Sequence, residues 1–441
     1  MISSKPYSIV HIRNCLNMAI EHVCQSIDCY SNSPGKAFTR NRILTADRIL
    51  RILIQFQNKG VKSELCDFLG SDTVPTDSAF CQQRQKLNPE AFRAVLQKMN
   101  QSLSRNLRTL NGYRLLACDG SDINIPLNPD DPETYHQTRD WKGYNQLHLN
   151  ALYDVLNEIY QDVSIDTATK TREADALIDM VKAHNYPERS IIICDRGYEK
   201  YNLIAHLLEN NQKFVIRVKD ITSSTSILAH VPIPNQDEFD IQVTRILTYT
   251  YTNEVMHNRE TYVPLNKITN GNFEYIDEEH PFYEMKFRVV RFKITEDTYE
   301  CLITNLDESE FSARDLKEVY HCRWSEENGF RQLKWEVGMI YFHSKKRSNL
   351  MQEIYASLIM FNFTRFLTIN TAIAESNNRK HDHKANFVTA VTNARLFIKG
   401  IITSEQMEER IKKFLIPLRS GRSFERRIRA QSAKPLNYKA A

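Results

Sequence analysis

Residues 113–120 read YRLLACDG and residues 190–197 read SIIICDRG. In each stretch a short apolar run closes on a cysteine, and an aspartate follows at once: Asp119 in the first, Asp195 in the second. Compact apolar runs bounded by turn residues are strands covered on both faces. Outward from them, residues 148–153 and 157–165 form two further strands joined by a turn, residues 173–184 and 201–210 are helical, and residues 213–218 form another strand. Strands followed by helix, strand, helix and strand predict a mixed sheet with helices packed on it. Ligands of such sheets bind at the carboxyl ends of strands. A single aspartate there is ordinarily a turn or cap residue. Two, each ending a buried strand, make a candidate catalytic pair.

The rest of the chain frames this core. Residues 1–105 read as helices and hold three segments of note. Residues 45–56 (TADRILRILIQF) carry apolar side chains near the helical period, a short segment over 63–69 stops at Gly70, and a third opens at Pro75-Thr76-Asp77-Ser78 and runs through AFCQQRQKL. In that third helix Phe80 and Leu87 face inward, leaving Gln82, Gln83, Gln85 and Lys86 largely free; Gln82, Gln83, Arg84 and Lys86 are candidate DNA contacts in a helix-turn-helix layout, and an ordinary helical bundle with a solvated polar face is the other reading. Residues 106–219 hold the first part of the core. Residues 220–299 read as a β-rich insertion, with FDIQVTRI, RETYVPL and MKFRVVRFKI between polar turns. The core resumes over residues 300–370, and residues 371–441 form a helical and basic C-terminal region.

Composition narrows the class. The chain has 441 residues, 41% of them hydrophobic and 25% charged, with 12 glycines and 14 prolines, which is globular and excludes collagen-like or wholly disordered chains. No apolar run reaches the roughly 18 residues of a membrane span. The start, MISSKPYSIVHIRN, has no basic segment leading into an apolar one, so a secretory signal is not expected. Nine cysteines without a CxxC pair suggest neither a disulfide framework nor a zinc ribbon. A cytoplasmic, nucleoid-associated protein is therefore expected. The net charge is only +4, yet residues 411–441 carry nine Lys or Arg against one Glu, and residues 220–299 carry seven basic against thirteen acidic side chains. A basic tail and a basic N-terminal region around an acidic middle point to a polyanion held from both ends.

Residues 312–337 predict one long helix containing VYHCRWSEENGFRQLKWEVG. At about 100° per residue, Tyr320, Arg323, Glu327 and Lys334 fall within an arc of about 60°. Val319, Cys322, Phe330, Leu333 and Val337 form a separate apolar stripe for packing on the sheet. An acid on one face with a phenol, a guanidinium and an ammonium suits phosphodiester chemistry. Two Mg²⁺ ions can activate an attacking oxygen and stabilise a leaving one; hard carboxylate oxygens hold them; cationic side chains hold the surrounding phosphates.

These residues resemble the DDE transposases of the insertion sequence four type. Tyr320-x2-Arg323-x3-Glu327-x6-Lys334 matches that group's Y(2)R(3)E(6)K signature without a gap, and Asp119 in CDGSD and Asp195 in CDRGY match its first two acidic motifs. The resemblance extends loosely over residues 40–430. It implies an α/β, RNase H-like mixed sheet carrying a β-rich insertion. It also implies cut-and-paste movement of DNA, with Asp119, Asp195 and Glu327 as ligands of two Mg²⁺ ions, which Mn²⁺ can replace. Tyr320, Arg323, Lys334 and Arg331 would contact DNA beside the cleaved end. Double-stranded DNA with terminal inverted repeats and a target DNA are the implied partners, handled by a homodimer. Two other readings stay open: a repurposed DNA-binding protein without catalysis, and a nuclease of the same fold that cuts without joining. Trp324 and Trp335 are as consistent with packing as with stacking on unpaired bases. His381-Asp382-His383 reads as a solvated loop.

Overall fold

Strand β1 (Arg114–Ile125) is the axis of the molecule. On one side it pairs antiparallel with β3 (Tyr144–Asp154), which takes β4 (Ile159–Thr167) antiparallel and the short β2 (Tyr135–His136) along its other edge. On the other side it pairs parallel with β5 (Ser190–Cys194), and β5 pairs parallel with β6 (Lys213–Val218). The order β4-β3-β1-β5-β6, with the first three antiparallel and the last two parallel to β1, is the RNase H-like arrangement. A computed structural model describes residues 7–418 except 41, 72–73, 138–142, 168–171, 268–270, 297 and 372–381.

The acidic middle segment does not form a sheet of its own. Strands β7 (Phe239–Thr248), β8 (Tyr262–Pro264), β9 (Phe282–Thr295) and β10 (Thr298–Thr304) continue the same sheet from β6 in the order β10-β9-β7-β8. The basic tail and the loop around His381 lie largely outside the described residues.

Helices cover both faces. The N-terminal helices are α1 (Ile9–Gln25), α2 (Ala46–Ile54), α3 (Val61–Leu69), α4 (Asp77–Arg84) and α5 (Glu90–Ser102). Their starts and stops are local chemistry: Thr45 and Thr76 accept the backbone N–H of Arg48 and Ala79, and Gly70 ends α3 at φ 62°. On the opposite face α6 (Glu173–Ala183) and α7 (Tyr201–Glu209) connect the parallel strands. Beyond the insertion, which contains α8 (Asn253–His257), come α9 (Ala313–His321), α10 (Ser325–Arg331), α11 (Arg347–Asn370), α12 (Phe387–Ile398) and α13 (Ser404–Lys413).

Alternate side chains of β1 belong to two apolar cores: Leu115 and Ala117 pack with the N-terminal helices and α11, whereas Leu116 and Cys118 pack with α6 and α7. Helix α11 is buried around nearly its whole circumference, as a central helix must be. Its Asn362 accepts the Tyr160 N–H at 2.9 Å and donates to Tyr160 O and Asn100 Oδ1, tying the N-terminal bundle to β4. Among the described residues no helix is long and apolar enough to cross a membrane.

Candidate active site

Cys118 and Cys194 are the last paired residues of β1 and β5, in register. The aspartates next to them therefore leave adjacent parallel strands at the same level, where strands are spaced about 4.8 Å. Asp119 is not the end of its strand, as the sequence implied; β1 runs on to Ile125 against β3 alone, after β5 has stopped. The acids sit in the notch this leaves. Each is fixed by its own turn: Asp119 Oδ1 accepts Gly120 N–H at 2.9 Å, and Asp195 Oδ1 accepts Gly197 N–H at 2.7 Å as the cap of a short helical turn over Arg196–Tyr198.

The helical run over residues 312–337 crosses this notch but is not uniform. It divides into α9, a 3₁₀ turn (Cys322–Trp324), α10 and a π turn (Gln332–Val337). Arg323 Nη1 lies 3.4 Å from Asp119 Oδ2. Lys334 Nζ donates to Ser121 Oγ and to Asp122 O, both at 2.7 Å. Arg323 thus meets the first aspartate itself, and Lys334 holds β1 two and three residues beyond it. Tyr320 is buried, with the Arg323 guanidinium 6.0 Å from its ring centre and 5.0 Å from that of exposed Trp324. Arg331 lies at the surface against Asn328.

Between the two adjacent glutamates the structure draws a sharp contrast. Glu327 is exposed. Glu326 is fully buried, both carboxyl oxygens have no hydrogen-bond partner, and burial together with the nearby Asp119 pushes its carboxyl well above the usual carboxylate range. A 3₁₀ turn advances about 120° per residue instead of about 100°, so the turn over Cys322–Trp324 rotates α10 relative to α9 and brings Glu326 into line with Arg323. The sequence carried a signal for this: the apolar stripe of Val319, Cys322, Phe330, Leu333 and Val337 has its gap at 326, and a glutamate fills it.

Two more side chains complete the neighbourhood and were missed from sequence. His148 on β3 places Nδ1 2.8 Å from Asp122 Oδ1 and Nε2 3.2 Å from Oε1 of Glu173, the first residue of α6. Burial alone would lower the imidazole, but these two carboxylates lift it to about 9. Asp119 is raised to about 6 by burial, with Asp195 and Glu173 adding to the rise and the Gly120 N–H and Arg323 opposing it. Only the QLHL and TREAD contexts mark these two residues in the sequence, and neither is distinctive.

The donor types suit a hard divalent cation: Asp119, Asp195 and Glu173 are carboxylates of one neighbourhood, Glu326 is a buried carboxyl with two unpartnered oxygens, and Arg323 is the cation paired with Asp119. Among the described residues no three such groups are drawn together as a ligand cluster.

Of the N-terminal residues, Gln82 is exposed and Gln83 and Lys86 are half-buried. Arg84 is a correction. Its guanidinium is buried, pairing with Glu353 Oε1 at 3.0 Å and donating to Gln352 Oε1 and Asn349 O, so it fastens α4 to α11 and has no face for DNA.

The RNase H-like sheet thus carries two aspartates level at its parallel notch, with Arg323 and Lys334 reaching β1 from the facing helix. The Transposase DDE domain family matches residues 110–363, more than half of the sequence, and the chain belongs to that family. It is a DDE-type DNA transposase by family. No curated protein matches the sequence. Among solved structures, the chain is similar to a piggyBac transposase in a synaptic complex with hairpin DNA, at 11% identity and a TM-score of 0.43, over 94% of this chain and 84% of that one.

Proposed function

We propose that the protein cleaves and joins the ends of an insertion sequence by divalent-cation-dependent phosphoryl transfer, in cut-and-paste transposition. The observation that supports this best is the notch: Asp119 and Asp195 leave neighbouring strands level with one another, while Arg323 reaches Asp119 and Lys334 reaches Ser121 from the facing helix. Asp119, Asp195 and Glu327 would hold two Mg²⁺ ions, with Mn²⁺ able to substitute. The cations supply activation of the attacking oxygen and charge stabilisation on the leaving one. The chain's own groups position the DNA. Lys334 offers a point charge to the phosphate beside the scissile bond, Arg323 can exchange its contact with Asp119 for a phosphate once a cation neutralises the acid, and Tyr320 packs beside the Arg323 guanidinium.

Glu327 is proposed because it completes the signature spacing and is open to solvent, as a ligand to a hydrated cation must be. A second reading, favoured by burial and by the unpartnered oxygens, gives that place to Glu326. Glu326→Gln and Glu327→Gln, measured separately, separate the two. Terminal inverted repeats, a target DNA and a homodimer that pairs two ends before cutting complete the reading.

The test uses DNA carrying the repeats that flank the gene, with Mg²⁺ or Mn²⁺. Asp119→Asn and Asp195→Asn should lower cleavage by orders of magnitude while gel-shift binding persists. Cutting without joining would make the protein a nuclease, and binding without cutting a repurposed DNA-binding protein. Light scattering with end DNA should show two protomers with two ends; a single protomer cleaving at full rate overturns the dimer.

A further inference from the structure

Four features around position 120 converge on one side chain. First, Gly120 cannot be any other residue without rearrangement: a Cβ there would lie 2.3 Å from His148 Nε2 and 2.4 Å from Glu173 Oε1. The space directly over the residue after Asp119 is thus filled by an imidazole and a carboxylate. Second, the imidazole is held between two acids, Asp122 on one ring nitrogen and Glu173 on the other. The ring is thereby anchored to β1 through Asp122 at 2.8 Å, with its other nitrogen 3.2 Å from Glu173.

Third, the two oxygens of Glu173 have different neighbours. Oε1 is on His148, while Oε2 faces the Asp195 turn, 3.9 Å from where a Cβ on Gly197 would stand; Asp195 Oδ1 is 3.0 Å from that same point. Glu173 also acts electrostatically on Asp119. It therefore sits beside both aspartates, on the α6 side of the sheet, across from the signature helix. Fourth, the fully buried Glu326 carboxyl has no hydrogen-bond partner and lies within electrostatic reach of Asp119 and Asp195. A buried carboxyl without a partner stays protonated unless a cation meets it.

We propose that Glu173 supplies a fourth carboxylate to the divalent-cation centre and that His148 is the positioning residue that aims it. The imidazole sits against one oxygen and leaves the other for the metal or its water, the pattern by which outer partners orient metal-binding carboxylates. Gly120 is the small residue that lets both side chains reach the centre. The proposal rests on the reading of Asp119 and Asp195 as cation ligands.

The experiment is Mn²⁺ titration of the full chain followed by electron paramagnetic resonance, with thermal melting without metal and end-DNA gel shift alongside. Asp119→Asn and Asp195→Asn report on the underlying reading and should abolish specific Mn²⁺ binding. Glu173→Gln, nearly isosteric at a partly exposed position, should weaken Mn²⁺ binding about tenfold and raise the cation concentration for half-maximal cleavage by a similar factor, with DNA binding unchanged. Glu173→Asp should recover part of the loss, and His148→Gln should show a several-fold weakening. If Glu173→Gln binds Mn²⁺ as tightly as the unmodified chain while the aspartate variants lose it, Glu173 is a surface salt-bridge partner and the proposal fails alone. If it only lowers the melting temperature, the residue is structural and the proposal fails in the same way. If the aspartate variants also bind normally, the cation-centre reading falls and takes Glu173 with it.

Discussion

Charge at single residues sets how this centre answers to pH. His148 has a folded-state value of about 9 against 6.5 for a free imidazole. Because the folded value is the higher one, its contribution is complete below about pH 6.5 and disappears as pH rises through about 9. At 1.36 kcal/mol per unit, reduced because Asp122 and Glu173 are partly open to water, the contribution is about 1–2 kcal/mol. Unfolding free energies of the wild type and His148→Gln should therefore differ at pH 6 and converge by pH 10; parallel curves would show that the imidazole is not held as a cation. Asp119 moves in the same sense. Raised from 3.8 to about 6, it favours the folded state most when protonated, and that favour is lost as pH climbs from 4 through 6. Cations compete with that proton, so Mn²⁺ should raise the melting temperature more at pH 7.5 than at pH 5. An equal rise at both would place the metal away from Asp119.

Elements show where the sequence was readable and where it was not. The apolar runs ending in Cys118 and Cys194 are strands because their pattern has no other use in a globular chain, and the parallel register then forces the two aspartates level. The signature helix was harder. A stripe drawn at a constant angle per residue misplaces every residue beyond a 3₁₀ turn, and a departure of that kind is set by tertiary packing of the sort that fixes Arg323 on Asp119 and Lys334 on Ser121. His148 and Glu173 were invisible for another reason. They come together only because β3 pairs with β1 and α6 begins beside it, contacts distant in sequence. Helix α4 illustrates the same limit. Its cap and inward-facing Phe80 and Leu87 are local and legible, but the burial of Arg84 depends on Glu353, far along the chain. Glu353 is held at about 2 despite its burial by Arg84 and His343. Arg84→Met should therefore cost about 3–5 kcal/mol by leaving Glu353 buried with half its compensation. Chemical denaturation measures this; a loss under about 1 kcal/mol, the range of exposed ion pairs, would show that the pair is open to water.

Across the whole molecule, charge and architecture divide the work. The sheet is continuous from β4 to β8, so the acidic insertion is rigidly joined to the notch, on the β6 side of the aspartates. The basic charge lies elsewhere. Residues 419–441 carry seven Lys or Arg against one Glu, a concentration with no equal in the core. Charge of that density binds phosphate with little regard for sequence, and each phosphate neutralised adds about 0.9 to the slope of log affinity against log salt. Deleting residues 419–441, which removes none of the described helices, should lower nonspecific DNA affinity and flatten that slope by several units. Cation binding at the notch should stay as it was, because the acids and their neighbours belong to β1, β5, α6 and α10. Fluorescence titration against random-sequence duplex at two salt concentrations gives both slopes. Equal slopes with and without the tail would mean that its charges touch no phosphate, and the polyanion would then be gripped by the core and the N-terminal helices alone.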